Sequence, residues 1–548
     1  MHINIGIPFA RRRRLASSVL ALGLAAGALV APNASTATPP LLSRPGLAND
    51  VVTMGVDDLR QLLQRRQVTS VQLVREYLRR IDAFEDAYGD QPGINAVITV
   101  NDDALDEAAK LDTERRKGRV RGPLHGIPIL VKDNYDTHDM PTTNGSEALA
   151  GTRPPDDATQ VAKLRAAGAI IIAKTNLHEY ASGITTISSL GGQTRNPYDQ
   201  TRNPGGSSGG TAAGVAASFA PVGMGSDTCG SIRIPAAHNG LVGLRPSLGL
   251  SSRDGIQPMS ATQDVGGPIG KSVRDVALVL DATVGYDVKD SVTAASIGQT
   301  PESYTSSLST QALRGKRIGV LTDVLGTTAV EQPATDLIRQ AAADMSAQGA
   351  TVVDIGHQQR ILELVAGSDV VNDEFERDLN RYLAQPGITF PEGLAALEEP
   401  RDQVTLADIV TSGKVTPTVL ATLQGRLGRS QPTDAYLQRL LTRTELQNAL
   451  RELIASLDLD AVLYPTVMQQ ATKIPESQPG STCPLSANTG FPALTMPAGF
   501  TPDHLPIGVE LLSLPFTEPT LLAMAYDYEQ ATQHRKPPAS TPPLRARS

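Results

Sequence analysis

The stretch Gly205-Gly206-Ser207-Ser208-Gly209-Gly210, followed by TAAGVAA over residues 211–217, carries the pattern that decides how the centre of this chain folds. Glycine pairs allow backbone conformations that other residues avoid, and the small side chains after them let a helix approach a neighbouring backbone closely. The start of such a helix favours negative charge on nearby groups. A flexible Gly/Ser loop is the plain alternative. The stretch therefore predicts either a linker or a turn that presents serines at a helix start.

A second polar turn is indicated by GSDTCGSIRIPAA over residues 225–237, which passes Ser231 and enters a short helical segment. Consecutive backbone N–H groups in such a turn form an anion-binding concavity, which the oxyanion of a tetrahedral acyl intermediate requires. The alternative is a serine that only caps the helix.

Upstream, residues 126–134 read GIPILVKDN, so Lys132 directly follows an apolar run. This pattern places the lysine at the end of a predicted strand, beside polar turn formers. Its plain alternative is a surface lysine whose stem lies along apolar surface. Taken together, the three segments supply a base, a hydroxyl relay, a nucleophile and an anion site.

The pattern around these segments predicts an α/β fold. Short β-branched runs alternate with Ala-rich helical segments, which indicates buried strands covered by helices on both faces. We expect N-terminal spacer and peripheral helices over residues 38–90, one large domain over residues 91–535 and a C-terminal tail over residues 536–548. A polar helical insert is expected at about residues 372–443.

The N-terminus has the features of an export signal. Residues 11–14 are all arginine, residues 15–31 are largely apolar, and small residues follow at 35–37. This pattern predicts a signal peptide over residues 1–37 that is cleaved, leaving no stable membrane anchor and a secreted or periplasmic protein. The apolar stretch would span only about 25 Å as a helix, short of a bilayer core. A retained anchor and a twin-arginine export route stay open as alternatives.

Composition excludes several classes of function. The 49 Lys and Arg against 57 Asp and Glu give a net charge of −8, and loss of the four signal-peptide arginines makes it −12. This acidic balance argues against nucleic acid as a partner. Two cysteines exclude an iron–sulfur cluster and a four-Cys zinc site. The eight scattered histidines and the lack of a dinucleotide fingerprint predict no metal and no cofactor.

The same segments resemble the amidase signature family, whose hallmark is the Gly/Ser-rich stretch 205–231 with an upstream lysine. In that family the bridging serine lies 24 residues before the nucleophile, which is the spacing from Ser207 to Ser231 and favours Ser207 over Ser208. The match extends from residue 124 through residues 460–466 to residues 491–497. Within the family, the layout is similar to exported bacterial peptide amidases.

The resemblance implies a single large domain with a mixed central sheet, and it implies a role for each matched residue. Ser231 corresponds to the acyl-accepting nucleophile, Ser207 to the bridging serine and Lys132 to the base. The segment that corresponds to the oxyanion hole and substrate-binding site comprises the backbone of Thr228, Cys229, Gly230 and Ser231, with Ser208 beside it. Family members commonly have Gly or Asp where this chain has Cys229.

The implied activity is hydrolysis of a carboxylic or peptide amide through an acyl-enzyme. A lysine accepts a proton only when it is neutral, so the pKa of Lys132 must fall about three units from its reference value near 10.4, and burial acts in that direction. The substrate is expected to be a small-molecule or peptide amide. Esters and the oligomeric state remain open.

Other interpretations compete with this one. Residues 206–210 also fit G-x-S-x-G, which would make Ser208 the nucleophile of a Ser-His-Asp hydrolase. The glutaminase component of a tRNA-dependent amidotransferase and a non-catalytic binding protein are two more. Cys229 and Cys483 either form a disulfide, which export permits, or are separate buried thiols. Three histidines could serve the first alternative, namely His357, His504 and His534.

Overall fold

The computed structural model describes residues 46–391, 394, 403–429 and 432–545. The predicted signal peptide therefore lies outside the described residues. The described residues from 46 onward belong to one unit. No helix among them combines the length and the apolar character that crossing a bilayer requires.

The strands alternate with helices along the chain, as the sequence predicts. The strands are β1 Val97–Val100, β2 Pro128–Lys132, β3 Ile170–Thr175, β4 Ile187–Ser188, β5 Gly192–Gln193, β6 Val222–Asp227, β7 Val242–Arg245, β8 Val265–Gly270, β9 Arg317–Val320, β10 Thr351–Asp354, β11 Ala461–Pro465, β12 Ala493–Phe500 and β13 Pro506–Leu512. The helices are α1 Leu47–Thr53, α2 Val56–Gln64, α3 Ser70–Phe84, α4 Ala104–Arg116, α5 Thr159–Ala166, α6 Gly209–Ala216, α7 Arg233–His238, α8 Val273–Thr283, α9 Gln332–Ala347, α10 Gln359–Ala366, α11 Val371–Leu383, α12 Leu406–Thr411, α13 Pro417–Gln424, α14 Asp434–Ser456, α15 Pro484–Thr489 and α16 Glu518–Thr532.

Eleven of the strands in the described part of the chain form one mixed sheet, in the order β1-β3-β2-β6-β8-β7-β12-β13-β11-β9-β10. Strands β3, β2 and β6 are mutually parallel, as are β11, β9 and β10. In the middle of the sheet, β6 pairs antiparallel with β8, β8 with β7, β7 with β12 and β12 with β13. The expected single α/β domain with a mixed central sheet is confirmed. The short strands β4 and β5 form a separate hairpin.

Burial along β2 shows why helices must cover both faces of the sheet. All five residues of β2 are buried, although successive side chains of a strand point to opposite faces. On one face Leu130 packs against α6, where a Cβ added at Gly214 would lie 2.8 Å from Leu130 Cδ1. Side chains two residues apart share a face, so Lys132 points to the side of the sheet that carries α6.

Several helices of the described residues lie in the segment of residues 372–443, where the helical insert is predicted. Helices α11, α12 and α13 share a hydrophobic cluster that includes Phe375, Leu406 and Leu423. Helix α14 begins inside the predicted insert and continues to Ser456, where it packs on α10 and α15. At the N-terminal end, α1, α2 and α3 belong to the same hydrophobic cluster as β2 and β3.

Candidate active site

Lys132 is the last residue of β2 and is completely buried. Its Nζ donates to Ser207 Oγ at 2.7 Å and to Ser226 Oγ at 2.8 Å. The amide of Asn134 also donates to Ser226 Oγ, at 3.0 Å. The lysine therefore ends in a pocket of hydroxyl groups rather than in solvent, which argues against the surface-lysine interpretation.

Burial also changes the protonation of this lysine. It lowers the pKa of Lys132 to about 7, while the negative charges of Asp227 and Asp264 act in the opposite direction. His178 is buried near Lys132. Its burial and the positive charge of Lys132 both lower the pKa of His178, to about 4. Near neutral pH a large share of Lys132 is consequently uncharged and able to accept a proton.

The Gly/Ser-rich stretch is an ordered, fully buried turn that leads into α6. Ser207 is fixed through its carbonyl oxygen, which accepts from His178 N–H at 3.0 Å, and the peptide bond before it is cis. Ser208 is the N-cap residue of α6, and its N–H donates to Ser231 C=O at 3.1 Å. This last bond brings the stretch into contact with the second polar turn.

The second turn, residues 228–231, connects β6 to the short helix α7. Gly230 has a φ of +80°, and a Cβ there would lie 2.8 Å from Cys483 Cβ, so the turn needs glycine at this position. Thr228 Oγ1 donates to Asp264 Oδ1 at 2.5 Å. Ser231 is buried, with 4% of its surface exposed.

One predicted oxyanion donor is already in use. The N–H of Gly230 donates to Asp227 Oδ1 at 2.8 Å, because the aspartate side chain folds back over its own turn. The expectation that the Gly230 N–H faces an oxyanion is therefore not met. Within the described residues, the N–H groups of Thr228, Cys229 and Ser231 donate no hydrogen bond, so these three remain available as anion donors.

Asp227 is the centre of a buried ion network beneath the turn. Arg233 Nε donates to Asp227 Oδ2 at 3.1 Å, and Arg245 Nη1 donates to Asp227 Oδ1 at 2.9 Å. Burial alone would raise the pKa of this carboxyl, but the two guanidinium groups lower it below its usual range. Arg233 also pairs with Glu510. The aspartate is thus a fixed anion that holds the turn against the sheet.

The disulfide hypothesis is confirmed. Cys229 and Cys483 are bonded, with Cα atoms 5.1 Å apart, and they close a separation of 254 residues. Since the chain has two cysteines, the bond leaves neither of them free. The bond links the second turn to the N-cap residue of α15.

Sequence reasoning missed several residues that organise this site. Ser226 and Asn134 lie two residues from Thr228 and Lys132, within the segments GSDTCG and KDN. Ser226 Oγ accepts from both Lys132 and Asn134. Asp264 and Glu510 come from distant segments, so only the three-dimensional pairing of strands reveals their roles. Closeness in sequence to a predicted site residue is the one signal that could have indicated Ser226 and Asn134.

The structure does not support the Ser-His-Asp alternative. Ser208 Oγ donates to Ser226 C=O at 3.2 Å, and no histidine of the described residues hydrogen-bonds to it. His357 pairs with Asp323 on the surface, and His534 lies 3.7 Å from Asp344. The backbone of His504 is part of the β12–β13 turn.

Among the described residues, one group has metal-ligand chemistry: His138, Asp139 and Asp157. Arg165 already pairs with both carboxylates, at 2.6 Å to Asp139 and 3.2 Å to Asp157. The guanidinium group of Arg165 already neutralises the two carboxylates that would have to bind a metal cation.

Comparisons with known proteins agree with this geometry. The family described as Amidase matches residues 72–522. One component of the glutamyl-tRNA(Gln) amidotransferase of Thermoanaerobacter pseudethanolicus is 33% identical over 89% of this chain and 98% of that protein. The native peptide amidase structure from Stenotrophomonas maltophilia is 39% identical, with a TM-score of 0.76 over 89% of this chain and 98% of that one. An amidase family protein of Bacillus anthracis is 29% identical, with a TM-score of 0.77 over 90% and 94% of the two chains.

The chain belongs to the amidase signature family, and the resemblance inferred from its sequence is confirmed. It is an enzyme that acts on amide C–N bonds, as a hydrolase or an amidotransferase. Family membership favours this over the non-catalytic alternative.

Proposed function

We propose that the protein is an exported amidase that hydrolyses peptide or carboxylic amides, with Ser231 as nucleophile, Ser207 as proton relay and Lys132 as base. The observation that carries the proposal is the 2.7 Å hydrogen bond from the fully buried Lys132 Nζ to Ser207 Oγ. A buried, largely uncharged amine at a serine hydroxyl is the arrangement that serine activation without histidine requires.

The reaction starts with neutral Lys132. Its nitrogen accepts the proton of Ser207, and Ser207 in turn accepts the proton of Ser231 as that oxygen attacks the amide carbonyl. The same path returns a proton to the leaving nitrogen, so ammonia or an amine departs. A water molecule then hydrolyses the acyl-enzyme and frees the carboxylic acid.

The negative oxygen of the tetrahedral intermediate needs donors that are not otherwise engaged. The unused N–H groups of Thr228, Cys229 and Ser231 meet this condition, and we assign the oxyanion site to this set rather than to Gly230. A single such donor contributes about 10²–10³ in kcat in well-studied hydrolases.

Peptide amides are the favoured substrate class. The support is the similarity to a solved peptide amidase, at 39% identity over almost the whole of both chains. A panel of peptide, aliphatic and aryl amides, with ammonia and amines detected, tests this choice. Release of ammonia from C-terminal peptide amides is the expected result. Turnover confined to small aliphatic amides would contradict it.

A glutaminase role within a tRNA-dependent amidotransferase is the second candidate, because a relative at 33% identity is a component of such an enzyme. The acidic charge, the arginine-led apolar N-terminus and the disulfide favour an exported hydrolase instead. Fractionation of the producing cells tests the location, and glutamine tests the activity. Cytoplasmic enzyme that releases ammonia from glutamine but from no peptide amide would favour this candidate.

The role of Ser231 is tested with Ser231→Ala and a serine-reactive fluorophosphonate. The variant is expected to lose amide hydrolysis and covalent labelling together, because the attacking oxygen is gone. Ser306→Ala is the matched control, since Ser306 is an exposed serine far from the site in sequence, and its hydroxyl donates to Ser303 C=O. Full labelling of Ser231→Ala would reject the assignment.

A further inference from the structure

The single disulfide of this chain lies at the candidate active site. Cys229 sits between Thr228 and Gly230 in the second turn, two residues before Ser231. Its own N–H is one of the three donors of that turn that make no hydrogen bond within the described residues. A contact that holds Cys229 in place therefore also orients its N–H, which the proposed reaction uses as an oxyanion donor.

The hydrogen bonds of the turn hold its two flanks more firmly than its middle. Thr228 is held through its hydroxyl by Asp264, and Gly230 is held through its N–H by Asp227. Cys229 makes no backbone hydrogen bond as a donor within the described residues. The carbonyl of the same peptide, Thr228 C=O, accepts a long hydrogen bond of 3.4 Å from Gln263 Nε2. The covalent bond from Cys229 to Cys483 is therefore the stronger restraint on the middle of the turn.

The partner cysteine is attached to a rigid support. Thr482 Oγ1, just before Cys483, donates to Pro465 C=O at 2.6 Å at the end of β11. Helix α15, just after it, is tied to its neighbours by Asn488, whose amide donates to Ser368 Oγ at 3.0 Å. Cys483 C=O accepts from Arg233, which also binds Asp227. The disulfide thus connects the turn to a segment that the sheet and two helices hold in place.

We propose that the Cys229–Cys483 disulfide is a positioning element of the oxyanion site, so that the enzyme reaches full activity only after this bond has formed. The proposal rests on the proposed function of the turn. When the disulfide is absent, the peptide between Thr228 and Cys229 keeps only the long hydrogen bond from Gln263 to Thr228 C=O, and the Cys229 N–H no longer points reliably at the oxyanion. Full activity then requires an oxidising compartment, which agrees with the export signal.

The redox step is an ordinary thiol–disulfide exchange. The two cysteine thiols give two electrons and two protons to the disulfide of an exchange partner, which leaves as a dithiol. In the reverse direction a dithiol such as dithiothreitol supplies the electrons and protons and ends as its own disulfide. Cys229 is partly exposed whereas Cys483 is buried, so we expect such a reagent to approach the disulfide from the Cys229 side.

The test compares the oxidised enzyme with Cys229→Ser, Cys483→Ser and the double variant, and circular dichroism records whether each of the four is folded. We expect kcat for a peptide amide to fall about tenfold or more in each single variant, with KM little changed, since only the transition state bears the oxyanion. The double variant should be no slower than either single one, because all three lack the same bond. Dithiothreitol should slow the wild type to that level and leave the double variant unchanged.

Three results would overturn the proposal. One is a wild-type kcat in the double variant, or in reduced wild type whose two thiols have been titrated. Another is a loss confined to Cys229→Ser, which would assign the effect to the side chain at position 229 rather than to the bond. The third is activity lost together with the native circular dichroism signal, which would make the bond a stabiliser of the whole fold. Fluorophosphonate labelling of Ser231 in the same samples separates these results from failure of the proposed function, because the nucleophile is present in all of them.

Discussion

Acidification of the enzyme is expected to stop amide hydrolysis by protonating Lys132. Burial lowers the pKa of this lysine from 10.5 to about 7. With the ordinary pKa, only about 1 in 3,000 of these side chains would be neutral at pH 7, whereas with the lowered value about half are. The shift corresponds to about 5 kcal/mol in favour of the neutral amine.

The same numbers give the expected pH profile. At pH 5, about 1 in 100 of the Lys132 side chains is neutral, so kcat/KM should lie about a hundredfold below its plateau. The acid limb should have a slope of one and a midpoint near pH 7. Because the lowered pKa of His178 is about 4, that group titrates below the midpoint and does not produce it.

The assay follows ammonia release from a peptide amide at about pH 5 to 9, with pre-steady-state kinetics to establish that acylation limits the rate. Burial raises the pKa of Asp136 to about 7 as well, so this carboxyl could imitate the lysine. Asp136 hydrogen-bonds to Tyr382 and not to the serines. Asp136→Asn should therefore keep the midpoint. A flat profile with acylation rate-limiting, or a midpoint that disappears in Asp136→Asn, would refute the neutral-lysine step.

Three further perturbations test the surroundings of the site. Asp264→Asn removes a negative charge that raises the pKa of Lys132, so the acid limb of kcat/KM should move to lower pH; an upward shift would contradict this. Asp227→Asn leaves the buried Arg233 and Arg245 without their shared anion, so the free energy of unfolding measured in urea should fall by about 3–5 kcal/mol. An unchanged urea midpoint would show that the ion network is dispensable for stability. Gly230→Ala places a Cβ 2.8 Å from Cys483 Cβ in a residue with a φ of +80°, so both kcat and Tm should fall. Wild-type values of kcat and Tm would contradict the need for glycine at this position.

Much of the site was predictable because its residues lie in short, chemically distinctive segments. The lysine at the end of an apolar run became the buried last residue of β2, and the glycine-flanked Ser207 lies at its nitrogen. Strand ends and tight turns are predictable from the sequence because neighbouring residues largely determine them. The alternation of strands and helices predicted the α/β class for the same reason.

The remainder depends on contacts between distant segments. The strand order of the sheet, which brings Glu510 of β13 to Arg233 of α7, has no local signature. The disulfide could only be offered as one of two alternatives, because its cysteines are 254 residues apart. The engagement of the Gly230 N–H by Asp227 was missed because a turn sequence does not reveal which of its donors its own side chains occupy.

The most direct test of the central claim is peptide mapping by mass spectrometry of the enzyme after reaction with a fluorophosphonate. We expect one adduct per chain, on the peptide that contains Ser231, and much slower adduct formation at that same residue when Lys132 is replaced by alanine. An adduct on Ser208, or labelling of Ser231 at an unchanged rate without Lys132, would contradict it.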